Sequence, residues 1–450
     1  MKKPELLLPA GTLKNMYYAF AYGADAVYAG QPRYSLRARN NDFMLANLET
    51  GISEARKQGK QFYVASNILP HNNKVRTYLD NMAPVIEMKP DALIMADPGL
   101  IMMIREKWPE VPIHLSVQAN TMNWAGVKFW QSVGLERIIL SRELSLNEIA
   151  EIREQCPDMG LEVFVHGALC IAYSGRCLLS AYFNHRDSNQ GTCTNACRWQ
   201  YNLHNAGESE TGDIQKLDFD AMAAINNPAP FKDIEEQRHP LADQVYLIEE
   251  SKRPGEYMPI LEDEHGTYIM NSKDLRAIQH VERLVKMGID SLKIEGRTKS
   301  HYYVARTAQL YRQAIDDAAS GKAFNPTLYG KLEGLANRGY TEGFYQRHPD
   351  NHYQNYLQGS SISQHQQFVG EIIDYDSQHG FAEVMVKNRF ETGDQLEIIT
   401  PEGSREIQVT HIENGKGETL QAAPGSGHQV RISLPAANYE MGLIAKYLGD

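Results

Sequence analysis

Eight short β-rich runs alternate with amphipathic helical stretches up to residue 320, and this rhythm constrains the fold of the chain more than any other feature. The runs are Leu6 to Leu8, Ala26 to Tyr28, Phe62 to Val64, Ala92 to Met95, Ile113 to Val117, Arg137 to Leu140, Glu162 to Val165 and Ser291 to Ile294. Helical stretches such as Thr12 to Tyr22, Asn47 to Gln58, Trp124 to Val133 and Leu146 to Gln155 separate them, and Gly23, Gly59, Gly134 and Gly160 stand where helices should stop. Eight strand-helix units argue for an α/β fold, a TIM-type (β/α)8 barrel over residues 1–325, with a doubly wound sheet as the lesser alternative.

One unit breaks the rhythm. After the seventh run the next plausible helix is Asp274 to Met287, so residues 168–272 form an insertion in a single strand-to-helix loop. In a barrel those loops all open on the face that carries chemistry. Within the insertion Asn205 to Gln244 is acidic, proline-bearing and aperiodic, which reads as a mobile loop. Tyr246 to Glu250 and Tyr268 to Met270 read as short strands, a hairpin over the mouth of the barrel.

The insertion also holds Cys170, Cys177, Cys193 and Cys197, four of the five cysteines of the chain within 28 residues. Their loop is too rich in glycine and polar residues to bury four thiols as core, so a tetrathiolate metal site is the better reading; lone Cys156 reads as core. The wide gaps suit an iron-sulfur cluster at least as well as structural zinc, which favours paired C-x(2-4)-C knuckles. Spacing alone leaves both metals open.

No apolar run reaches the length of a membrane span, and the N-terminal leucines are bounded by Glu5 and Pro9, so the chain reads as cytoplasmic, a setting where thiols stay reduced. The net charge of −11 argues against a wholesale nucleic-acid binder, but it is localised. Residues 368–450 carry −7 and residues 204–244 carry −6, which leaves the rest of the chain at +2. A basic face from Arg33, Arg37 and Arg39, or from Lys293, Arg297, Lys299, Arg306 and Arg312, competes with charges scattered over a solvated surface. Residues 326–367 read as a helical extension and linker, and from residue 368 a period of two predicts six strands in a small C-terminal antiparallel β-barrel. Its acidity suits substrate orientation or protein contacts better than a grip on RNA.

Polar residues at the C-terminal ends of the barrel strands are the site candidates. As acids and bases these are Asp97, Glu143, His166 and Glu295; as substrate contacts, Gln118, Asn120, Arg142, Arg297 and Lys299, joined by Arg37 and Arg39. The alternative for Arg142, Glu143, Glu295 and Arg297 is an ion network that closes the barrel, and for His166 a supporting bond to the cysteine loop. Tyr34, Tyr173, Tyr182 and Trp199 are aromatic residues available for base stacking or, equally, for ordinary packing.

The segment Glu162-x-Phe164-x-x-Gly167-Ala-Leu-Cys170-x4-Gly175-x-Cys177-x-Leu-Ser180 resembles the signature of peptidase family U32, the collagenase-like group. From Pro4-Glu-Leu-Leu-Leu-Pro-Ala-Gly11 through Ser291-Leu-Lys-Ile-Glu-Gly-Arg297 to the C-terminal module, the chain is similar to the branch of that family that hydroxylates tRNA. The resemblance implies a [4Fe-4S] cluster on Cys170, Cys177, Cys193 and Cys197. It also implies oxygen-independent, prephenate-dependent formation of 5-hydroxyuridine at the wobble position, the first step toward 5-carboxymethoxy- or 5-methoxyuridine. The partners would then be the anticodon loop of tRNA and prephenate, a dicarboxylate that Arg37, Arg39, Arg142 and Arg297 suit by their bidentate geometry.

The peptidase label has no support in the residues. There is neither an H-E-x-x-H zinc helix nor a G-x-S-x-G elbow, and cysteines held by metal are poor nucleophiles. Rival readings are a U32-type protease, a ribosomal RNA or quinone hydroxylase of the same family, and a zinc-stapled RNA-binding or assembly protein without catalysis.

Overall fold

The computed structural model describes residues 2–35, 43–70, 72–168, 273–335, 339–346 and 366–448, together with the backbone of the strands named below between residues 169 and 272. The chain forms two compact units: residues 1–167, 277–335 and 363–450 make one, residues 168–276 and 336–362 the other.

In the first unit, β1 (Glu5–Pro9), β2 (Ala26–Gly30), β3 (Gln61–Ser66), β4 (Ala92–Met95), β5 (Ile113–Leu115), β6 (Arg137–Ile139), β7 (Gly160–Ala168) and β8 (Ser291–Ile294) pair in parallel in sequence order. β8 pairs with both β7 and β1, which closes the ring. The expected (β/α)8 barrel is the fold.

Helices α1 (Leu13–Ala21), α2 (Leu45–Lys57), α3 (Tyr78–Glu87), α4 (Pro98–Lys107), α5 (Trp124–Ser132), α6 (Leu146–Gln155), α7 (Val281–Lys286) and α8 (His301–Ala319) alternate with the strands. Several start sharply because a side chain satisfies an otherwise orphaned amide. Thr12 caps α1, Asp97 caps α4, Asn123 caps α5, Ser300 caps α8, and Ser145 with Glu148 forms a reciprocal capping box on α6. None of the described helices is long and apolar enough to cross a membrane.

Two local expectations change here. Gly160 is the first residue of β7 rather than a helix stop; a Cβ there would lie 2.7 Å from the carbonyl oxygen of Glu136 on the neighbouring connection. The single helix expected over Asp274 to Met287 is instead a strand, Asp274–Arg276, a 3-10 turn, Ile278–His280, and then α7. The amide of Ala277 is taken by the carbonyl of Val165 on β7, so the chain there follows the barrel wall before it coils.

In the second unit, a five-stranded antiparallel sheet runs in the order Ile214–Lys216, Tyr201–Glu208, Tyr246–Glu250, Tyr257–Asp263 and Gly266–Ile269. Part of the stretch expected to be a mobile loop is therefore sheet: residues 206–208 pair with 214–216. The two strands expected to form one hairpin do not pair with each other: the strand Tyr257–Asp263 lies between them, paired with Tyr246–Glu250 on one side and turning at Asp263 and Gly266 to pair with Gly266–Ile269 on the other. Ala172–Tyr173 and Arg176–Cys177 form a small antiparallel pair. Asp274–Arg276 pairs in parallel with Tyr340–Thr341.

Beyond the barrel, α9 (Thr327–Glu333) precedes β9 (Gln366–Asp376), β10 (Phe381–Val386), β11 (Gln395–Thr400), β12 (Gly403–Gln408), β13 (Gln429–Ser433) and β14 (Leu443–Tyr447). They form an antiparallel sheet in the order β12-β11-β14-β9-β10-β13, extended by two-residue strands Ile412–Glu413 and Thr419–Leu420. β10 buries every second residue, the mark of a strand with one wet face. One apolar cluster takes in Leu396 and Ile398 of β11, Val384 of β10 and Ile412 near the far edge, so the sheet curls round its own core.

This module docks on α1 and α8. Arg306 of α8 makes two bonds to Glu397 at 2.9 and 2.7 Å, both side chains almost fully buried. Tyr22 Oη donates to the carbonyls of Ile399 and Met441, and Tyr302 stacks on Phe368 with ring centroids 4.6 Å apart. Arg312 pairs with Asp25 and Asp316. Of the charges weighed as a basic face or a solvated surface, Arg306 and Lys293 are neither: both are interior residues with carboxylate partners.

Candidate functional site at the mouth of the barrel

Inward-facing residues alternate along each barrel strand, so the barrel can be built up in layers from its N-terminal floor. The lowest layers are ionic rather than the branched apolar filling usual in such barrels. Arg137 Nη1 reaches Glu5 at 2.6 Å and Glu162 at 3.2 Å, Lys293 Nζ reaches Glu162 at 2.7 Å, and Tyr63 Oη and Ser291 Oγ both donate to Glu5. Burial lowers the pKa of Lys293 although the Glu162 carboxylate pulls it upward. Burial, with Arg137 and Lys293 adding to it, holds His114 far below the usual histidine range, so this ring is neutral and packs edge-on against Tyr63.

Above the floor lie two aromatic rings. Lys293 Nζ sits 4.4 Å from the centre of Tyr28 and 5.5 Å from that of Phe164, a cation between two π faces. The Arg142 guanidinium covers Phe164 from the mouth side at 3.8 Å. Arg142 Nη2 is 3.9 Å from Glu295 Oε2, and Tyr28 Oη donates to the same Glu295 oxygen at 3.2 Å. The backbone around Glu295 is pinned: its amide donates to His166 O, and its carbonyl accepts from Tyr303 Oη.

Arg297, one turn of chain further on, lies against Gly30 at the end of β2. A Cβ at Gly30 would stand 2.4 Å from Arg297 Nη1 and 2.4 Å from Ser35 Oγ, so only glycine admits that guanidinium. Lys299 sits with its ammonium 5.5 Å from the Tyr303 ring, and its carbonyl accepts from Asn15 Nδ2. On the opposite arc, Asn67 after β3 donates to Ser116 Oγ at 3.3 Å and to Gln118 Oε1 at 3.1 Å. Asn120, in the left-handed backbone region, donates to the Gln118 carbonyl. Ser141 Oγ donates to Glu143 after β6.

Two candidate acids and bases are elsewhere or otherwise engaged. Asp97 spends a carboxylate oxygen on the Leu100 amide as the cap of α4. His166 does not face the mouth. Phe164 pairs with Lys293 but His166 pairs with Ile294, so β7 carries one extra residue at Val165, and this bulge reverses the parity of everything after it. The His166 ring is consequently buried against α8, its Nδ1 3.3 Å from Tyr311 Oη, while Tyr311 donates to the Val165 carbonyl.

Tyr34 is likewise core: it is 2% exposed, edge-on to Tyr78 and bonded to Thr77. Arg37, Arg39, Cys170, Cys193, Cys197, Tyr182 and Trp199 lie outside the described residues, and Cys177 and Tyr173 are described only as backbone in their short strands. The structure therefore brings together Arg142, Glu295 and Phe164, and separately Gln118 with Asn120. It adds Tyr28, Asn67, Ser116 and Lys293. The alternation rule could have found Lys293, which stands two residues before Glu295 on one face of β8.

The family model of peptidase family U32 matches residues 11–355, and that of the peptidase family U32 C-terminal domain matches residues 364–446. The chain is 62% identical over 437 residues to tRNA hydroxylation protein P of Escherichia coli, covering 97% of this chain and 94% of the relative. It is 60% identical over 434 residues to tRNA hydroxylation protein P of Haemophilus influenzae, at 96% and 94% coverage. It is also 34% identical over 449 residues to tRNA hydroxylation protein P1 of Bacillus subtilis, at 99% and 95% coverage.

Proposed function

The chain belongs to peptidase family U32, and from that premise we propose that it is an enzyme that hydroxylates tRNA, forming 5-hydroxyuridine at the wobble uridine without molecular oxygen and in dependence on prephenate. The observation that carries the reading is full-length similarity to relatives named for tRNA hydroxylation, which extends through barrel, insertion and C-terminal module alike.

Cys170, Cys177, Cys193 and Cys197 would hold a [4Fe-4S] cluster. Four thiolates without a competing histidine or carboxylate motif are a donor set that suits iron and sulfide, and Cys170 follows the last residue of β7 by only two positions. Such a cluster supplies electron transfer or an iron site for a substrate oxygen. The chain's own mouth residues supply the rest. Arg142 and Arg297 offer planar guanidinium forks for a dicarboxylate such as prephenate, and Arg37 and Arg39 would join them from the β2–α2 loop. Glu295, seated by Tyr28 and beside Arg142, would be the proton-transfer group, and Glu143, bonded by Ser141 after β6, is the second candidate. An exposed anticodon base can be splayed into such a mouth, where ring faces and amides meet it.

The test has two readouts. Anaerobically purified protein is expected to hold about four iron and four acid-labile sulfide per chain, lost in Cys193→Ala. Mass spectrometry of tRNA nucleosides should find 5-hydroxyuridine and its derivatives absent from a deletion strain and restored by the wild type only when prephenate is made. Stoichiometric zinc without sulfide, or an unchanged nucleoside profile, would overturn the proposal.

A further inference from the structure

The arc of the mouth formed by β3 and β5 holds a bonded trio, Asn67, Ser116 and Gln118, that the proposed chemistry leaves unused. Ser66 Oγ bonds Tyr78 Oη on α3 and so points outward, which by alternation turns Asn67 inward. β4 lies between β3 and β5 in the ring, so a side-chain bond from Asn67 to Ser116 and Gln118 must cross the inside of the mouth. Asn67 and Ser116 are buried, whereas Gln118 is half-buried.

The direction of these bonds matters. Gln118 Oε1 accepts twice, from Asn67 Nδ2 and from Ser116 Oγ. A side-chain amide that has both acceptor positions taken must turn its Nε2 the other way. The Gln118 backbone is fixed as well, since its carbonyl accepts from Asn120 Nδ2 at 2.9 Å and the left-handed Asn120 ends the turn. The rim therefore presents a fixed, directional N–H donor, with its acceptor end locked away.

We infer that Gln118, locked by Ser116 and Asn67, is the specificity-determining residue that reads the 4-carbonyl of the substrate pyrimidine and so admits uridine and rejects cytidine. The inference rests on the proposed function and names its base-reading subsite. Uracil carries a carbonyl oxygen at position 4, which accepts from Gln118 Nε2; cytosine carries an amino group there, which sets donor against donor. A site that hydrogen-bonds one group discriminates strongly against a ligand that leaves its buried donor unmatched.

The experiment measures binding of the anaerobically purified full-length holoprotein to an anticodon stem-loop RNA with uridine at the wobble position and to its cytidine twin. The wild type should prefer uridine by about tenfold or more, the weight of one well-placed bond. Gln118→Glu, which puts an acceptor oxygen where the donor stood, should bring the ratio to one or below it, toward cytidine. Ser116→Ala, which releases one of the two locking bonds, should reduce the ratio by a factor of about two to five.

A wild type without preference overturns the inference, as does Gln118→Glu with its preference kept. Should Gln118→Glu fail to fold, an unchanged ratio in Ser116→Ala overturns it instead. Binding is read without turnover, so a wild-type protein that shows no preference in vitro while still restoring 5-hydroxyuridine in the deletion strain strikes this subsite alone. Absence of 5-hydroxyuridine from the strain complemented with the wild type strikes the proposed function.

Discussion

At the floor of the barrel Glu162 meets Lys293 at 2.7 Å and Arg137 at 3.2 Å with none of its surface exposed. Two residues further along β8, at the mouth, Glu295 faces Arg142 at 3.9 Å, with about an eighth of each side chain open. The same residue types thus serve opposite ends. In the floor, several short bonds per charge offset the cost of desolvation, and the network specifies one packing. In the mouth, the guanidinium lies on the Phe164 ring at 3.8 Å and meets its carboxylate only at 3.9 Å, so the charge is held by one aromatic face and one long ion pair rather than by short bonds. Stability should concentrate below, chemistry above.

Breaking the floor gives the largest effect. Glu162→Gln leaves Lys293 and Arg137 without their shared carboxylate, and urea denaturation should show a loss of about 3 to 5 kcal/mol. Arg306→Leu tests the same rule where the C-terminal module docks. It strands Glu397 in a buried position, should cost about 3 kcal/mol, and should raise hydrogen exchange in β9, β11 and β14 before the barrel strands.

At the mouth the balance should invert. Arg142→Lys keeps the charge but loses the planar contact with Phe164 and the bidentate fork. Its unfolding midpoint should be almost unmoved, while 5-hydroxyuridine per unit of protein falls by about tenfold. A midpoint shift as large as that of Glu162→Gln would erase the distinction between the two layers.

The smallest effect concerns acid. Burial would raise the Glu371 carboxyl, but His301 and Lys14 outweigh it and hold the pKa at about 2 against an ordinary 4.5. A carboxylate depressed in the folded state adds stability above its unfolded pKa and loses it as the pH falls through the folded one. Glu371→Gln should therefore remove about 1 kcal/mol of stability at neutral pH and flatten the acid limb between pH 4.5 and 2, a change read from midpoints across that range.

Most of the barrel was legible because burial of apolar runs and the need to end helices are local demands. All eight strands, and helices such as α6 with its capping box, lie close to where periodicity puts them. What escaped depends on distant partners. The bulge at Val165 is set by Tyr311 and Ala277 far along the chain, and it alone moved His166 from the mouth to the outer wall. Arg306 reads as a surface cation until Glu397, in another module, is brought against it. Glu295, Arg142 and Gln118 were legible from their place after strand ends. Asn67 was not, because β3 runs two residues past the apolar run that marked it.

The most direct test of the account is the wobble nucleoside made by Glu295→Gln, measured by mass spectrometry in the deletion strain beside the wild type and normalised to folded, iron-loaded protein. The account predicts loss of 5-hydroxyuridine by about a hundredfold, the usual weight of a proton-transfer group, with the denaturation midpoint and iron content of the wild type. Wild-type levels of 5-hydroxyuridine in that strain would contradict it, and would place the chemistry somewhere other than the mouth of the barrel.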